Sequence, residues 1–270
     1  MKYSAGIDVG STYTKTVILN DQNEIMSKSM LSTGFQLDQA AERSFEAAIE
    51  GAGLAREAVS YIVSTGYGRY QVSFRDVNAT DLTAAARGSK HLFPGTTTVL
   101  DIGGQTMKAM RLDEHARVRS FRLNDKCAAG TGAFLEKTAR YLGFSTEEIG
   151  PLVGTSKEAV PISGVCAVFA ESEVINHLSH GSAPADIMHG AMISLVERSV
   201  QLMKRVKMQP EITLTGGILR FTPMVRVITE RLKMDVNLPA GDLVQFVSAL
   251  GAAILGQQRI RKIEATAVTA

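Results

Sequence analysis

The chain has 270 residues, 45% of them hydrophobic, a formal net charge of +2 and only two cysteines. That is enough apolar material for a sizeable core in one or two domains. The near balance of charge, without a long basic or acidic run, argues against nucleic acid as a partner. No apolar run reaches the length of a membrane span and the N-terminus lacks an apolar signal region, so a cytosolic protein is expected.

Strand and helix patterns alternate along the chain. "YSAGIDV" reads as a buried strand; "KTVILN" and "EIMSKSML" read as strands joined by the turn "NDQN". "LDQAAERSFEAAIEGAG" has apolar residues at helical spacing and stops at Gly51 and Gly53. "YIVST" is another short strand, followed by "GYGR". A second strand series opens at "TTTVLDI" and continues through "MKAMRL" and "VRSFRL". Beyond residue 131 the pattern is helical, interrupted by "EITLTGG" and "DVNLPA". A last helix is expected near 246–264, ahead of a frayed "EATAVTA".

One internal repeat stands out. "GIDVGSTYTKTVIL" and "VLDIGGQTMKAMRL" align in a single register, each an apolar strand ending in Asp, then a small polar hairpin, then Lys seven positions after the Asp. The pairs are Asp8 with Lys15 and Asp101 with Lys108, the copies 93 residues apart. Hairpin turns rich in Gly, Ser and Thr leave backbone N–H groups pointing into a concavity that suits phosphate, and a neighbouring Asp can hold a hydrated magnesium ion. One such turn is an ordinary hairpin. Two copies, with a third glycine loop "LTGGIL" after a later strand, predict a clamp for a polyphosphate between two lobes.

The cysteines form a second pattern. Cys127 in "FRLNDKCAAGTGAFLEK" and Cys166 in "PISGVCAVFAESEV" each precede small residues and a helical pattern. Cysteines of a cytosolic chain are rarely disulfides, which leaves metal or redox chemistry, or a plain role as small buried hydrophobes.

Together the three loops resemble those of the actin, hexokinase and Hsp70 superfamily of ATPases, with "DVGSTYTK" and "DIGGQTMK" as phosphate loops and "LTGGIL" as the adenosine loop. Within it, "TGYGR" (65–69), "NDKCAAGTG" (124–132) and "CAVFAESEV" (166–174) resemble one family, the ATP-dependent activators of 2-hydroxyacyl-CoA dehydratases and the ATPase subunits of benzoyl-CoA reductase. The similarity runs over nearly the whole chain.

The resemblance implies an α/β, two-lobed actin-like fold built from duplicated ribonuclease-H-like domains. Residues 1–94 would form the first lobe, with the helix near 246–264 folding back on it, and residues 95–245 the second. It implies ATP, Mg2+ and one [4Fe-4S] cluster shared by two subunits, with Cys127 and Cys166 as ligands. Such a cluster takes four thiolates and one chain supplies two, so a homodimer, or a heterodimer with a paralogous ATPase subunit, is expected. Helix N-termini beside an anionic cluster would stabilise it. The implied activity is ATP-driven transfer of single electrons from ferredoxin or flavodoxin to a dehydratase or reductase acting on a CoA thioester.

Site roles follow from the same resemblance. Gly10, Ser11 and Thr12 would cradle phosphate, with Lys15 adding charge. Gly103, Gly104 and Gln105 would form the opposite loop. Asp8 and Asp101 would bind magnesium through water, Asp101 also orienting the attacking water. Gly216 and Gly217 would let the backbone approach the adenosine or α-phosphate, and Gln245 would lie near the nucleotide. Glu171 and Glu173 read as helix or interface residues. Thr106 stands where these activators carry Asp, and Ser248 where they carry Gly; the first difference leans toward the benzoyl-CoA reductase type. A small-molecule kinase of the same fold, which would leave the cysteines idle, and a non-redox nucleotide-dependent assembly module are the alternatives.

Overall fold

The computed structural model describes residues 2–124, 130–163 and 167–268. It divides into two compact units, one of Met1–Gly95, Leu112–Val118 and Gln245–Ala270, the other of Thr96–Arg111 and Arg119–Val244. Among the described residues no helix is long and apolar enough to cross a membrane.

In the first unit β1 (Tyr3–Val9), β2 (Tyr13–Leu19) and β3 (Ile25–Ser32) form an antiparallel meander. β4 (Val59–Thr65) pairs with β1 in parallel, and the short β5 (Val77–Asn78) pairs with β4. The order is β3-β2-β1-β4-β5, with β1 central. A central strand covered on both faces must be apolar throughout, and Ala5, Ile7 and Val9 are fully buried. The β2–β3 turn is the expected "NDQN": the Asn20 Oδ1 accepts the N–H groups of Gln22 and Glu24 at 3.0 and 2.9 Å, and Asn23 takes the left-handed conformation at φ 62°. Helix α1 (Leu37–Gly51) buries Ala41, Phe45 and Ala48, one stripe of an amphipathic helix.

Helix α2 (Asp81–Leu92) does not declare itself by bulky apolar residues, because its buried face is Ala84, Ala85, Ala86, Gly88 and Ser89. The reason lies in its neighbour, the last helix α8 (Val247–Val268), which approaches at backbone distance. A Cβ on Gly251 would stand 1.8 Å from the Ala84 carbonyl oxygen, and one on Gly6 of β1 2.0 Å from that of Ala249. Only hydrogen fits at these crossings. The Ser4 hydroxyl, donating to Ala253 O at 2.8 Å, fixes the register of α8 on β1.

The second unit repeats the scheme. β6 (Thr98–Ile102) pairs antiparallel with β7 (Met107–Leu112) and parallel with β9 (Ile212–Thr215). β8 (Val118–Asn124) and β10 (Val236–Asn237) complete the order β10-β9-β6-β7-β8. Reading outward from β1 or β6, the two sheets have one connectivity, the duplicated α/β architecture expected from the sequence. They differ in what joins the meander to the parallel strand. The first unit uses α1; the second uses α3 (Gly132–Tyr141), α4 (Ile149–Gly154), α5 (Ala167–Ser179) and α6 (Pro184–Arg205). Helix α7 (Thr222–Leu232) connects β9 to β10. Phe134, Leu135, Met188, Met192, Leu195 and Met203 pack with Leu100 and Ile102 in this unit's core, the methionines serving as adaptable filler.

Candidate functional site

Asp8 and Lys15 face each other across the β1–β2 ladder, and the Lys15 Nζ lies 3.3 Å from the Asp8 Oδ2. Both side chains are largely buried, at 13% and 15% exposure, so the pair is partly shielded from water. The connecting loop is held from behind. Gly10 N–H donates to Tyr13 O at 3.2 Å, the Thr33 hydroxyl donates to Gly10 O at 2.8 Å, and Thr33 N–H donates to Thr12 O at 3.0 Å. Ser11 is left at the exposed tip. With the Gly10 carbonyl held from behind, the Ser11 N–H in the same peptide plane turns outward, as an anion nest requires.

The second unit carries the same arrangement. Asp101 and Lys108 are cross-strand partners with Nζ 3.1 Å from Oδ2, and Gly103 N–H donates to Thr106 O at 2.8 Å. Gln105 is the exposed tip. Thr106 thus closes the turn with its backbone and adds no carboxylate beside the loop. Here the carbonyls of Gly103 and Gly104 are held by a helix: the N–H groups of Gly132 and Ala133, at the start of α3, donate to them at 2.9 and 2.7 Å. Two of the amides at the start of this helix are thus committed to the Gly103–Gly104 loop.

The parallel strands bring in residues that sequence reading did not single out for this site. Thr65 at the end of β4 is in register with Asp8, and Thr215 at the end of β9 is in register with Asp101. Each is followed by a glycine at positive φ, Gly66 at 87° and Gly216 at 108°. A Cβ on Gly66 would stand 2.4 Å from the Asp8 Oδ1 and 2.6 Å from Val9 O; on Gly216 it would stand 2.9 Å from the Asp101 Oδ1 and 2.2 Å from Ile102 O. The Thr215 hydroxyl donates to the Asp101 Oδ1 at 3.3 Å. The constellation is therefore Asp, Lys, Thr and Gly, present twice. The Thr-Gly dipeptides in "STGYGR" and "LTGGIL" are the signal that could have revealed it.

Gly217 opens a short 3-10 turn, Gly217–Arg220, and Gly216 N–H donates to Val244 O at 2.9 Å. A cavity of about 590 Å3 beside this turn is lined by Leu219, Arg220, Val225, Arg226, Thr229 and Leu238 among others. Apolar walls with a few polar groups are the usual make-up of a small-molecule pocket. Gln245, partly buried, ends the short turn Gly241–Gln245.

Cys127 and Cys166 lie outside the described residues. The helices that follow them are described, and they are linked. Glu171 on α5 accepts from Lys137 Nζ at 2.7 Å and from the Tyr141 hydroxyl at 3.3 Å, both on α3. The carboxylate raises the Lys137 pKa. Glu173 on α5 accepts the N–H of Ser163, in the segment leading to Cys166.

Residues 5–256 match the model of the BadF/BadG/BcrA/BcrD ATPase family. The activator of lactoyl-CoA dehydratase from Anaerotignum propionicum is 38% identical over 96% of this chain and 99% of its own. One of the benzoyl-CoA reductase subunits of Thauera aromatica is 34% identical over 97% and 96%. The solved structure of the activator of 2-hydroxyisocaproyl-CoA dehydratase from Clostridium difficile, with bound ADPNP, superposes with a TM-score of 0.91 at 36% identity, covering 98% of this chain and 97% of that one.

Proposed function

Since the chain belongs to the BadF/BadG/BcrA/BcrD ATPase family, we propose that it is an ATP-hydrolysing, iron–sulfur component that drives single low-potential electrons into a partner enzyme acting on a CoA thioester. The observation that carries the reading is the doubled Asp–Lys–Thr–Gly constellation, in a chain 36% identical along nearly its full length to an ADPNP-bound activator.

The loop of Gly10, Ser11 and Thr12 and the loop of Gly103, Gly104 and Gln105 each receive phosphate oxygens on backbone amides, and Lys15 adds positive charge. Gly216 and Gly217 bring bare backbone to the adenosine or α-phosphate, the cavity beside Leu219 and Leu238 takes the base, and Gln245 lies near the nucleotide. Asp8 and Asp101 fit a magnesium ion held through water. Each has one oxygen bound to a lysine, which suits outer-sphere contact better than direct ligation. Magnesium held there would neutralise phosphate charge as the bond between the transferred phosphoryl group and ADP breaks. Asp101, fixed by Lys108 and Thr215, orients the attacking water.

Residues 1–94 with the helix near 246–264, and residues 95–245, act as the two lobes. Cys127 and Cys166 supply two thiolates, so a [4Fe-4S] cluster needs a second protein chain, identical or paralogous. Thiolates are the donors such a cluster takes; α5 starts at Ala167, directly after Cys166 in sequence, and Glu173 steadies the approach through Ser163. The cluster would carry one electron at a time, taken from ferredoxin or flavodoxin in the cytoplasm. Thr106 leans toward the benzoyl-CoA reductase type, while the higher identity to the activator, 38% against 34%, leans toward a dehydratase partner.

Anaerobic purification tests the reading. A brown protein with about four irons per dimer, and electron transfer to a co-purified CoA-thioester enzyme only with ATP, are expected. A colourless ATPase that drives no electron transfer would overturn it in favour of a kinase or an assembly module.

A further inference from the structure

Helix α3 occupies a position that the roles above do not use. It begins five residues after Cys127, and its first two amides are donated to consecutive carbonyls of one loop, Gly103 and Gly104. A helix start leaves four N–H groups without intrahelical partners, so half of them are used here. The consequence comes from peptide geometry. In a planar trans peptide the C=O and N–H point in opposite directions. The Gly103 carbonyl shares its plane with the Gly104 N–H, and the Gly104 carbonyl with the Gln105 N–H. The amides that face outward from the loop are therefore turned by the same peptide planes that α3 holds from behind.

The far end of α3 reaches another helix. Ten residues at about 1.5 Å rise give a helix of about 15 Å. Its last two turns carry Lys137 and Tyr141, which both bond the Glu171 carboxylate on α5, the helix that starts beside Cys166. Between these ends Phe134, Leu135, Thr138 and Ala139 are buried, so the helix moves with its packing as a body. At the loop end there is no slack: a Cβ on Gly132 would come 3.2 Å from Gly103 O and 3.4 Å from Gly104 Cα.

We propose that α3 is the element that couples the second phosphate loop to both cysteine segments, with Gly132 and Ala133 as positioning residues at the loop and Lys137, Tyr141 and Glu171 as the clasp that passes the change to α5. The proposal rests on the reading of this chain as a nucleotide-driven iron–sulfur protein. An anion that draws the Gly104 and Gln105 amides rotates their peptide planes, shifts the two carbonyls and carries the first turn of α3 with them. Coupling of this kind is reciprocal: the factor by which nucleotide changes the cluster's affinity for an electron equals the factor by which reduction changes the affinity for nucleotide.

Two measurements on the anaerobically purified protein test it, each with ADP and with ADPNP. The first is amide hydrogen exchange across residues 132–136, which reads the tie whether or not a cluster is present. The second is the rate of iron loss to a chelator, which reads the cluster. Ala133→Pro removes one donor and sets its ring against Gly104 O, which breaks the tie, and Ala133→Ser keeps that donor as the control. Gly132→Ala is the independent wedge, and Glu171→Gln loosens the clasp. In the wild type, ADPNP should change both the exchange at the start of α3 and the chelation rate relative to ADP. In Ala133→Pro and Gly132→Ala both ratios should fall toward one while ADPNP still binds; in Ala133→Ser they should persist. In Glu171→Gln the exchange response should remain and the chelation response should shrink. An exchange response in an iron-free wild type would support the tie and sink the iron–sulfur reading. An unresponsive α3 in the wild type, or Ala133→Pro and Gly132→Ala variants with wild-type ratios, would overturn the proposal.

Discussion

The Thr215 hydroxyl donates to Oδ1 of Asp101 at 3.3 Å, whereas the hydroxyl of Thr65, in the same register opposite Asp8, is fully buried with no partner among the described residues. One carboxylate is thereby fixed by a lysine and a hydroxyl, and the other by a lysine alone. The two copies of the constellation are chemically unequal at this point.

That inequality predicts opposite responses to one substitution. Thr215→Val leaves a buried carboxylate oxygen short of a donor and should cost about 1–3 kcal/mol of stability. Thr65→Val removes a hydroxyl that gains nothing in the nucleotide-free protein, so it should be neutral or stabilising. Urea unfolding without nucleotide measures both. A loss in Thr65→Val as large as that in Thr215→Val would contradict the assignment.

Asp8→Asn and Asp101→Asn should each lower ATP turnover by on the order of 10²–10³, the usual loss on removing one well-placed electrostatic group. The fold and the iron content should be retained, because asparagine has the size and shape of aspartate and opens no cavity. Phosphate release is the assay, with circular dichroism as the control. Wild-type turnover in both variants would mean that the nucleotide is handled by other loops.

Gly216→Ala should be among the most damaging small changes in the chain. At φ 108° and ψ 157° the residue lies in a region that glycine alone adopts at low cost, and an added Cβ would stand 2.2 Å from Ile102 O. The backbone strain is about 1–3 kcal/mol before any clash. A fall in melting temperature together with weaker ADPNP binding is expected; Gly154→Ala, with nothing within 4 Å of the added Cβ, is the control.

Cys127→Ser and Cys166→Ser, each alone, should lose the cluster and weaken the dimer together. In a homodimer each change removes two of four thiolates, and in a heterodimer one. Partial retention of iron would therefore report a mixed dimer. Iron analysis and sizing give the result. Full iron in both serine variants would return these residues to the role of small side chains before helices.

His189 gives a pH signature. Burial holds its pKa below the ordinary value, Arg226 adds to the effect, and Asp186 and Glu230 pull the other way. Its Nδ1 lies 3.0 Å from the Ser156 hydroxyl. The unfolded chain takes up the proton first as pH falls, so the contribution to stability is present above the ordinary histidine value and is lost as pH drops through the lowered one. The urea midpoint of the wild type should fall further between about pH 7.5 and about pH 5.5 than that of His189→Gln, the range in which histidine titrates. Equal falls would remove His189 from the account.

Much of this protein was legible in its sequence because the chemistry concerned is local. An Asp and a Lys seven positions apart, flanking a small polar turn, become cross-strand partners whenever that turn closes as a hairpin, and both copies did so. The "NDQN" turn and the buried stripe of α1 belong to the same kind of information, set by neighbours a few residues away. Helix α2 was not legible, since its face of alanine and glycine makes sense only against a backbone that approaches from residues 247–251. Gly216 was legible in "LTGGIL", but Thr65, Gly66 and Thr215 were hidden for a related reason. Thr65 follows its aspartate by 57 positions and Thr215 by 114, because α1 alone fills the first interval and α3–α6 fill the second. Parallel pairing ignores such differences, and a search for a fixed period cannot see through them. Local residue order was enough to set the two hairpins and to put a cysteine ahead of each of two helices. That Gly132 and Ala133 turn their amides to Gly103 and Gly104 came from long-range packing, because a helix start has free donors in any fold and packing alone selects the carbonyls that receive them.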